Sequence, residues 1–394
     1  MSTPAVAVSA ASHQRVLFAV LFTGFILTGI AISVLGPILP VFIARWALDD
    51  SKAGLFSTVA FGMSLGGVFL SSAVNSYFGY RPSIVSGYLL MSGGLVGLNS
   101  SSLTFALISA AAIGLGYGMA VPATNLRVAE MGGANNTGLV SLVNLAWGLG
   151  ALSCSPILRF SLKLHALPQM LMGVAALGIV LMVALLLVAM PGEGRTEPAA
   201  SGGMAAPKLG VLVAAGLASL FFIYVGTEVS FSFWAATHVK RLGAEAAEMS
   251  TIAPMFFFGG LMSGRALTPA LLNRVREHRL ALGGLCVVLV GGTLLVATSR
   301  QAVAFTGLAL AGLGCACIFP ILVAWLSRWY GSGAKRISAL MFSMASVGGS
   351  AVPWVVGFIS DHAGGLRMGL LLPLANALVM MLLIVLLRRQ TAVG

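Results

Sequence analysis

Long apolar runs dominate the chain, and many reach the ~20 residues that a helix needs to cross a hydrocarbon core of roughly 30 Å. Inside such a core, every backbone amide must be paired within the protein. The runs lack the short alternation of apolar and polar residues typical of barrel strands, so they predict helices. Charged residues make up only 8% of the chain, against about a quarter in soluble domains, which excludes a water-soluble globular fold.

The apolar runs predict an all-α polytopic membrane protein with twelve transmembrane helices in two six-helix bundles. A hydrophilic stretch containing Pro, Gly and Ser, residues 191–208, predicts a flexible linker between an N-terminal bundle (1–190) and a C-terminal bundle (209–394). The predicted helices cover residues 16–43, 53–74, 83–99, 103–127, 136–158, 166–190, 209–237, 249–272, 280–298, 303–326, 336–360 and 366–388.

An internal repeat relates the two predicted bundles. Helix 2 reads STVAFGMSLGGVFLSS and helix 8 reads STIAPMFFFGGLMSGR, with the shared residues at an offset of 193. At an offset of 198, Gly116 on helix 4 matches Gly314 on helix 10, and Gly150 on helix 5 matches Gly348 on helix 11. Two like halves with pseudo-twofold symmetry predict a cavity near the membrane midplane, which rocking opens alternately to each side.

Basic residues give the chain a formal net charge of +12, and they lie in short loops between apolar runs. This placement favours a membrane role and argues against nucleic-acid binding, which needs a basic patch on a polar face. With the N-terminus inside, fourteen Lys and Arg residues lie on the cytoplasmic side and eight on the opposite side. We therefore predict cytoplasmic termini in a bacterial-type inner (plasma) membrane.

Several segments carry a resemblance to a known family, and the one on helix 7 is the most specific. They are FIYVGTEVSFSFW (Phe222–Trp234), GLGYGMAVPATN (Gly114–Asn125), GLGCACIFP (Gly312–Pro320), NLAWGLGALSCSP (Asn144–Pro156) and GFISDHAGGLR (Gly357–Arg367). Together they resemble the major facilitator superfamily, closest to its fucose–proton symporter-like sugar branch. The resemblance covers essentially the whole chain and implies a secondary transporter or facilitator of a small polar organic solute, such as a sugar.

The sequence departs from the family pattern in two places. In the loop between helices 2 and 3, which latches the halves together in the family, Gly79 and Arg81 match but Ser76 stands where an acid is expected. Arg274 occupies the corresponding loop of the second half. The acids that carry proton coupling in the sugar branch are missing from helix 1 and helix 4, where Asn125 stands at the polar position. Proton symport, cation symport and uniport therefore all stay open.

Glu228 is the one acidic residue well inside an apolar run. A charge at the bilayer centre costs at least ~2.5–3.5 kcal/mol, so its presence predicts a role. One interpretation is a cavity-facing site for a proton, a cation or a substrate hydroxyl; the other is a structural carboxyl bonded to a neighbouring helix. Tyr224, one turn earlier on the same face, suits a sugar ring beside the acid.

The remaining candidates are polar or aromatic residues at helix positions. Asn125, Asn144 and Trp147 are candidates to line the cavity from the first half, with interhelical packing as the alternative. Trp234 is either part of an aromatic platform or an anchor at the outer interface. Arg127 is three residues before Glu130, which predicts an ion pair at the inner end of helix 4, serving a gate or ordinary positive-inside charge.

Other functional classes fit the sequence less well. Abundant Met and Phe, including Phe256, Phe257 and Phe258, keep drug or amphiphile efflux open as the alternative. A sensor would need a sizeable soluble domain, and a membrane enzyme would need clustered titratable or metal-binding groups. No nucleotide-binding loop or catalytic triad is present, so the sequence predicts a non-enzyme without cofactor or metal. Its predicted partners are the solute, a possible coupling proton or cation and the lipid bilayer, and it is predicted to be a monomer.

Overall fold

The computed structural model describes residues 4–132, 136–188, 190, 211–330 and 334–391. These residues form helices joined by short turns, with no strand among them. The predicted linker, 191–208, lies outside the described residues. The helices are α1 (Pro4–Ser33), α2 (Leu35–Trp46), α3 (Asp50–Phe78), α4 (Tyr80–Gly97), α5 (Leu103–Gly132), α6 (Asn136–Lys163), α7 (Leu167–Leu187), α8 (Val211–Lys240), α9 (Ala244–Met249), α10 (Ala253–Leu272), α11 (Glu277–Ala297), α12 (Gln301–Cys315), α13 (Ile318–Tyr330), α14 (Ala334–His362), α15 (Leu366–Gly369) and α16 (Leu371–Thr391).

Each of the twelve predicted helices corresponds to a helical segment of the described chain. Eleven segments are long and apolar enough to cross a membrane. The remaining one, α4, has 18 residues and begins with the polar sequence YRPS, which lowers its mean hydropathy. It packs lengthwise against α5 and α7 within the bundle. The all-α polytopic fold class is therefore confirmed.

Three predicted helices are interrupted in the structure, each shortly before a proline; the twelfth divides at Leu370, between α15 and α16 and before Pro373. The first divides at Val34 into α1 and α2, next to Gly36 and Pro37, and the tenth divides between α12 and α13, shortly before Pro320. A proline lacks the backbone N–H that would continue the helical hydrogen bonding, and its ring clashes with the preceding turn. The interruptions follow from this local chemistry.

The described chain forms two compact units. One contains α1, α3 from Gly62 onward, and α4 to α7; the other contains α2, α3 up to Phe61, and α8 to α16. This partition groups residues 35–61 with the second half of the sequence. The boundaries at 1–190 and 209–394 stay a prediction.

Glycine contacts are equivalent in the two units, as the repeat predicts. A Cβ atom at Gly150 of α6 would lie 2.1 Å from the carbonyl oxygen of Ile26 in α1. A Cβ at Gly348 of α14 would lie 2.0 Å from the carbonyl oxygen of Phe222 in α8. Only glycine permits backbones to approach this closely.

A second glycine pair repeats in the same way. A Cβ at Gly116 of α5 would lie 2.5 Å from the carbonyl oxygen of Gly87 in α4. In the other unit, a Cβ at Gly314 of α12 would lie 2.4 Å from the carbonyl oxygen of Gly284 in α11. The sequence repeat is thus a repeat of helix-packing contacts.

Candidate solute-binding site

A carboxylate, a phenol and a guanidinium meet inside the apolar helices of the second unit. Tyr224 and Glu228 are one turn apart on α8, and the Tyr224 hydroxyl donates a hydrogen bond to Oε2 of Glu228. Arg265 of α10 places Nη2 at 3.8 Å from Oε1 of Glu228. The side chains of Glu228 and Arg265 are 15% and 35% exposed, respectively, so both remain accessible. The opposite charge offsets part of the cost of placing either group in an apolar span.

An aromatic cluster adjoins this pair. The ring of Tyr224 lies 5.9 Å from that of Phe319 on α13, and Phe221 of α8 makes edge contacts with both Phe319 and Phe342 at 5.8 and 5.9 Å. Tyr224 and Phe221 are buried, whereas Phe342 is exposed. The site therefore combines hydrogen-bonding charges with apolar ring faces, as small-molecule sites commonly do.

Arg265 is the member of this site that sequence reasoning missed. Positive-inside counting assigned it to the cytoplasmic cations, although it lies within α10, seven residues before that helix ends at Leu272. The available signal was its position inside a predicted apolar helix, which is the same signal that identified Glu228. A cation and an acid within neighbouring spans of one bundle are candidates to pair.

The first unit brings together two of its predicted polar residues. The Asn144 side-chain amide on α6 donates to Oδ1 of Asn125 on α5 at 3.0 Å, and also to the carbonyl of Val140 at 2.8 Å. Asn144 is exposed and Asn125 half-buried. Trp147, one turn beyond Asn144, is also half-buried. The amide pair supports an interhelical contact, while its exposed side leaves hydrogen-bonding capacity for a solute.

Trp234 has a structural contact in the second unit. Its side chain is 0% exposed, and its indole N–H donates to the carbonyl of Pro353 on α14 at 2.9 Å. Its ring also packs at Gly357. Burial on all sides corrects the interface interpretation, because an anchor must reach the headgroup region. It equally leaves no ring face for a solute in this conformation.

The predicted gating residues take different roles. Gly79 has φ of 79°, a left-handed value that favours glycine, and it links α3 to α4. Arg81 donates to the carbonyl oxygens of Val188 at 2.7 Å and Leu186 at 3.5 Å, at the C-terminal end of α7. A cation at a helix C-terminus is favourable because the free carbonyls carry partial negative charge.

The ion pair predicted near the C-terminal end of helix 4 is confirmed. Arg127 Nη1 lies 3.2 Å from Oε2 of Glu130, whose Oε1 accepts a hydrogen bond from Tyr80 at 2.5 Å. The Arg127 side chain is 6% exposed and that of Glu130 is 41% exposed, so the pair joins a buried cation to an exposed carboxylate. Arg274 in the second unit is exposed. A gating role for these residues stays a prediction.

A polar network that sequence reasoning did not foresee centres on Asp50, at the start of α3. Arg241, just after α8, donates to its two carboxylate oxygens at 2.6 and 2.7 Å, and the Ser360 hydroxyl of α14 donates at 2.5 Å. Asp361 accepts hydrogen bonds from the backbone amides of Asp50 and Ser51 at 3.0 and 2.7 Å. The Asp361 carboxylate therefore caps the N-terminus of α3, where free amides favour an anion.

Asp361 is six residues before Arg367 in sequence, but it contacts the start of α3 rather than that cation. Arg367 instead donates to the carbonyl of Thr298 and the hydroxyl of Ser299, both at 2.9 Å. The unpaired amides at the start of α3 are the stronger partners for Asp361. Among the described residues, no three His, Cys, Asp or Glu side chains cluster closely enough to hold a metal ion.

These features define a polytopic α-helical transporter with two repeated halves and ionisable groups held inside its spans. Residues 21–308 match the family model of the Major Facilitator Superfamily. The chain belongs to that superfamily, and it is a transporter and not an enzyme.

Comparison with curated relatives gives partial matches. A putative glucose/galactose transporter of Helicobacter pylori strain J99 is 28% identical over 142 residues, which is 36% of this chain and 34% of that protein. The corresponding protein of strain 26695 is 25% identical over 141 residues. The matched region thus spans about a third of the length of these relatives.

Solved structures share the fold across nearly the whole chain. A bacterial homologue of the human lysosomal transporter Spinster, in an inward-facing conformation, has a TM-score of 0.76 at 14% identity, covering 99% of this chain and 98% of that one. The D-xylose–proton symporter has a TM-score of 0.72 at 17% identity, covering 93% of this chain and 97% of that one. The Escherichia coli fucose:proton symporter has a TM-score of 0.63 at 17% identity, covering 95% of this chain and 99% of that one.

Proposed function

We propose that the chain carries a small polyhydroxylated solute, a sugar or related compound, across an inner membrane by alternating access. The observation that carries the proposal is the partly exposed pair of Glu228 and Arg265 within apolar helices, with Tyr224 bonded to the same carboxylate. An ion pair that only held helices together would not need to be exposed at this position. Its accessibility favours a role in binding.

The chemistry of this site suits a sugar. A carboxylate accepts hydrogen bonds from hydroxyl groups, and a guanidinium donates to hydroxyl oxygens through several N–H groups. The neighbouring rings of Phe319 and Phe342 offer faces to the apolar side of a sugar ring. The names of the partial relatives, putative glucose/galactose transporters, support the same solute class.

We infer that Glu228 also serves coupling, with the proton as the coupling ion. The 3.8 Å separation from Arg265 is longer than a direct charge-assisted hydrogen bond, so the carboxylate is held without being fully engaged. Protonation would release the guanidinium to the solute. Two of the similar structures are of proton symporters, which supports this scheme. Cation symport and uniport are the alternatives.

The orientation belongs to the same proposal. The excess of Lys and Arg in loops on the side of the N-terminus favours cytoplasmic termini, in a bacterial inner membrane. We propose a monomer, because each chain supplies both repeated halves.

A thermal-shift screen of the purified chain tests the solute class. Glucose, galactose, fucose and xylose are compared with amino acids and lipophilic cations. A ligand that binds only the folded state stabilises it by RT ln(1 + [L]/Kd) and so raises Tm. We expect stabilisation by at least one sugar, and a smaller shift for Glu228→Gln at the same sugar concentration. Glu245→Gln, on the exposed face of α9, is the matched control and should respond like the native chain. Stabilisation by lipophilic cations alone would contradict the proposal.

Export of amphiphiles is the second candidate, and the aromatic cluster around Tyr224 is the observation that favours it. The phenylalanines of predicted helix 8, which is α10 in the structure, support amphiphile export less than the sequence indicated. Phe256 stacks on Phe305 at 4.3 Å, and the buried Phe257 stacks on Phe231 at 6.2 Å. Vesicle assays separate the candidates: lipophilic dyes should neither be exported nor compete with the sugar. Dye export that survives saturating sugar would favour this alternative.

A further inference from the structure

The two oxygens of the Glu228 carboxylate have different surroundings. Oε2 accepts the hydrogen bond from the Tyr224 hydroxyl. Oε1 lies 3.8 Å from Nη2 of Arg265, which is beyond the length of a direct hydrogen bond. The carboxylate is therefore held through one oxygen, while the other is separated from the guanidinium by a gap.

The Tyr224 side chain acts on this carboxylate and not on a solute. It is 1% exposed, and its ring packs 5.9 Å from that of Phe319 on α13. It precedes Glu228 by one turn of α8, so its hydroxyl reaches the carboxylate along the surface of the helix. A hydrogen bond to an ionised group is stronger than one between neutral groups. Tyr224 is thus a positioning residue, which holds Oε2 and leaves Oε1 on the side of Arg265.

The gap between Oε1 of Glu228 and Nη2 of Arg265 has the width for one oxygen atom. A hydroxyl oxygen lies about 2.7 Å from an oxygen to which it donates and about 2.9 Å from a nitrogen that donates to it. These two lengths together exceed the 3.8 Å separation, so one oxygen can be within bonding distance of both atoms. The two side chains are 15% and 35% exposed, so a solute can supply that oxygen.

A neutral hydroxyl suits this gap better than other solute groups do. It donates its proton to Oε1 and accepts an N–H of Arg265 through a lone pair of the same oxygen. An ammonium group only donates, and an ether or a carboxylate only accepts. A charged group also meets a like charge in the gap, because an ammonium faces Arg265 and a carboxylate faces Glu228.

We propose that Glu228 and Arg265 together bind one hydroxyl of the solute, which donates to Oε1 and accepts from Nη2, and that Tyr224 fixes the carboxylate for this contact. The inference rests on the proposed function, because it takes this site as the place where the sugar binds. It goes further in assigning selectivity to a single hydroxyl. It also gives Tyr224 a positioning role in place of a ring that stacks on the sugar.

Binding of substituted sugars to the purified full chain tests the proposal. The parent is whichever of glucose, galactose, fucose and xylose binds most tightly in isothermal titration calorimetry. Each hydroxyl except the anomeric one is replaced in turn by fluorine, which cannot donate, or by an amino group, which as an ammonium cannot accept. At one carbon, both replacements should weaken binding about tenfold or more, because a polar group of the site is left unpaired.

Two variants should reduce this selectivity. In Glu228→Gln, the amide oxygen stays with the Tyr224 hydroxyl, because the amide nitrogen cannot accept, and the NH₂ group replaces Oε1. The solute hydroxyl then loses its acceptor, so fluorine at the critical carbon should cost about threefold or less. Tyr224→Phe keeps the ring but releases the carboxylate, so it should weaken binding of the parent and lower the fluorine penalty. Tyr88→Phe, which removes a buried phenol from α4 of the first unit, is the matched control and should keep the native pattern.

Each failure has a distinct meaning. Fluoro derivatives that all bind as tightly as the parent would overturn the proposal, as would an unchanged fluorine penalty in Glu228→Gln; the proposed function would stand, because the sugar still binds. An amino derivative equal to the parent at the critical carbon would contradict the contact with Arg265. A native pattern in Tyr224→Phe would contradict the positioning role. Failure of every sugar to bind would refute the proposed function, and this inference with it.

Discussion

Replacing Arg241 and replacing Asp50 should destabilise the second unit by different amounts, although both changes break the same contact. The Asp50 side chain is 5% exposed, whereas that of Arg241 is 41% exposed. Arg241→Gln leaves a buried carboxylate with Ser360 as its remaining side-chain partner, and breaking a buried pair in this way costs about 3–5 kcal/mol. Asp50→Asn leaves a guanidinium that water can reach, so we expect a smaller loss, about 1–2 kcal/mol.

Unfolding in mixed micelles of SDS and dodecyl maltoside measures these losses in free energy. The double variant Asp50→Asn/Arg241→Gln should be within about 1 kcal/mol of Asp50→Asn alone, because contacting residues are not additive. Asp49→Asn is the control: Asp49 is exposed and pairs with exposed Lys52, so it should change little. An equal loss for the two single variants, or a double variant equal to their sum, would refute the reasoning.

Three further predictions concern single positions. Gly348→Ala should lower the free energy of unfolding by several kcal/mol, since its Cβ would lie 2.0 Å from a backbone oxygen; Gly283→Ala, where nothing lies within 4 Å of the added Cβ, is the control and should cost little. Arg81→Gln should cost about 1–2 kcal/mol by removing the cation at the end of α7, and Arg81→Lys should restore part of it; no change in unfolding would contradict the capping role. The hydrogen bond from Lys52 lowers the pKa of Asp49 below 3.8, so its small contribution to stability is present above that pH and is lost as pH falls through the lowered value. Asp49→Asn should remove that acid-dependent part of a pH titration of stability, and an identical titration would contradict the assignment.

The helices and their repeat were predictable because they follow from local chemistry. Apolar length identifies each span, and glycines such as Gly150 and Gly348 recur wherever two backbones must touch. The break at Val34 was not predicted, because the apolar run continues through it and hydropathy does not register the backbone cost of Pro37. The grouping of residues 35–61 with the second unit depends on contacts nearly 200 residues or more apart in sequence.

The site was predictable only in part. Glu228 and Tyr224 were identified because an acid in an apolar run is costly and one helical turn places the two together. Arg265 was missed because its charge was attributed to the excess of Lys and Arg expected on the cytoplasmic side of the membrane. Asp50, Arg241 and Asp361 all lie near helix ends, where charges are ordinary, so no single-position signal distinguishes their mutual contacts. Trp234 illustrates the converse: residue type alone does not tell a buried hydrogen-bonded indole from an exposed one.

Solute accumulation in proteoliposomes tests most directly whether Glu228 binds the solute and couples its transport to the proton gradient. Uptake of the sugar that gives the largest thermal shift is measured with an imposed pH gradient, and again as counterflow without one. Glu228→Gln should abolish gradient-driven accumulation while counterflow persists with about tenfold weaker apparent affinity, and Glu245→Gln should behave like the native chain. Full accumulation by Glu228→Gln, with unchanged pH dependence, would contradict the account.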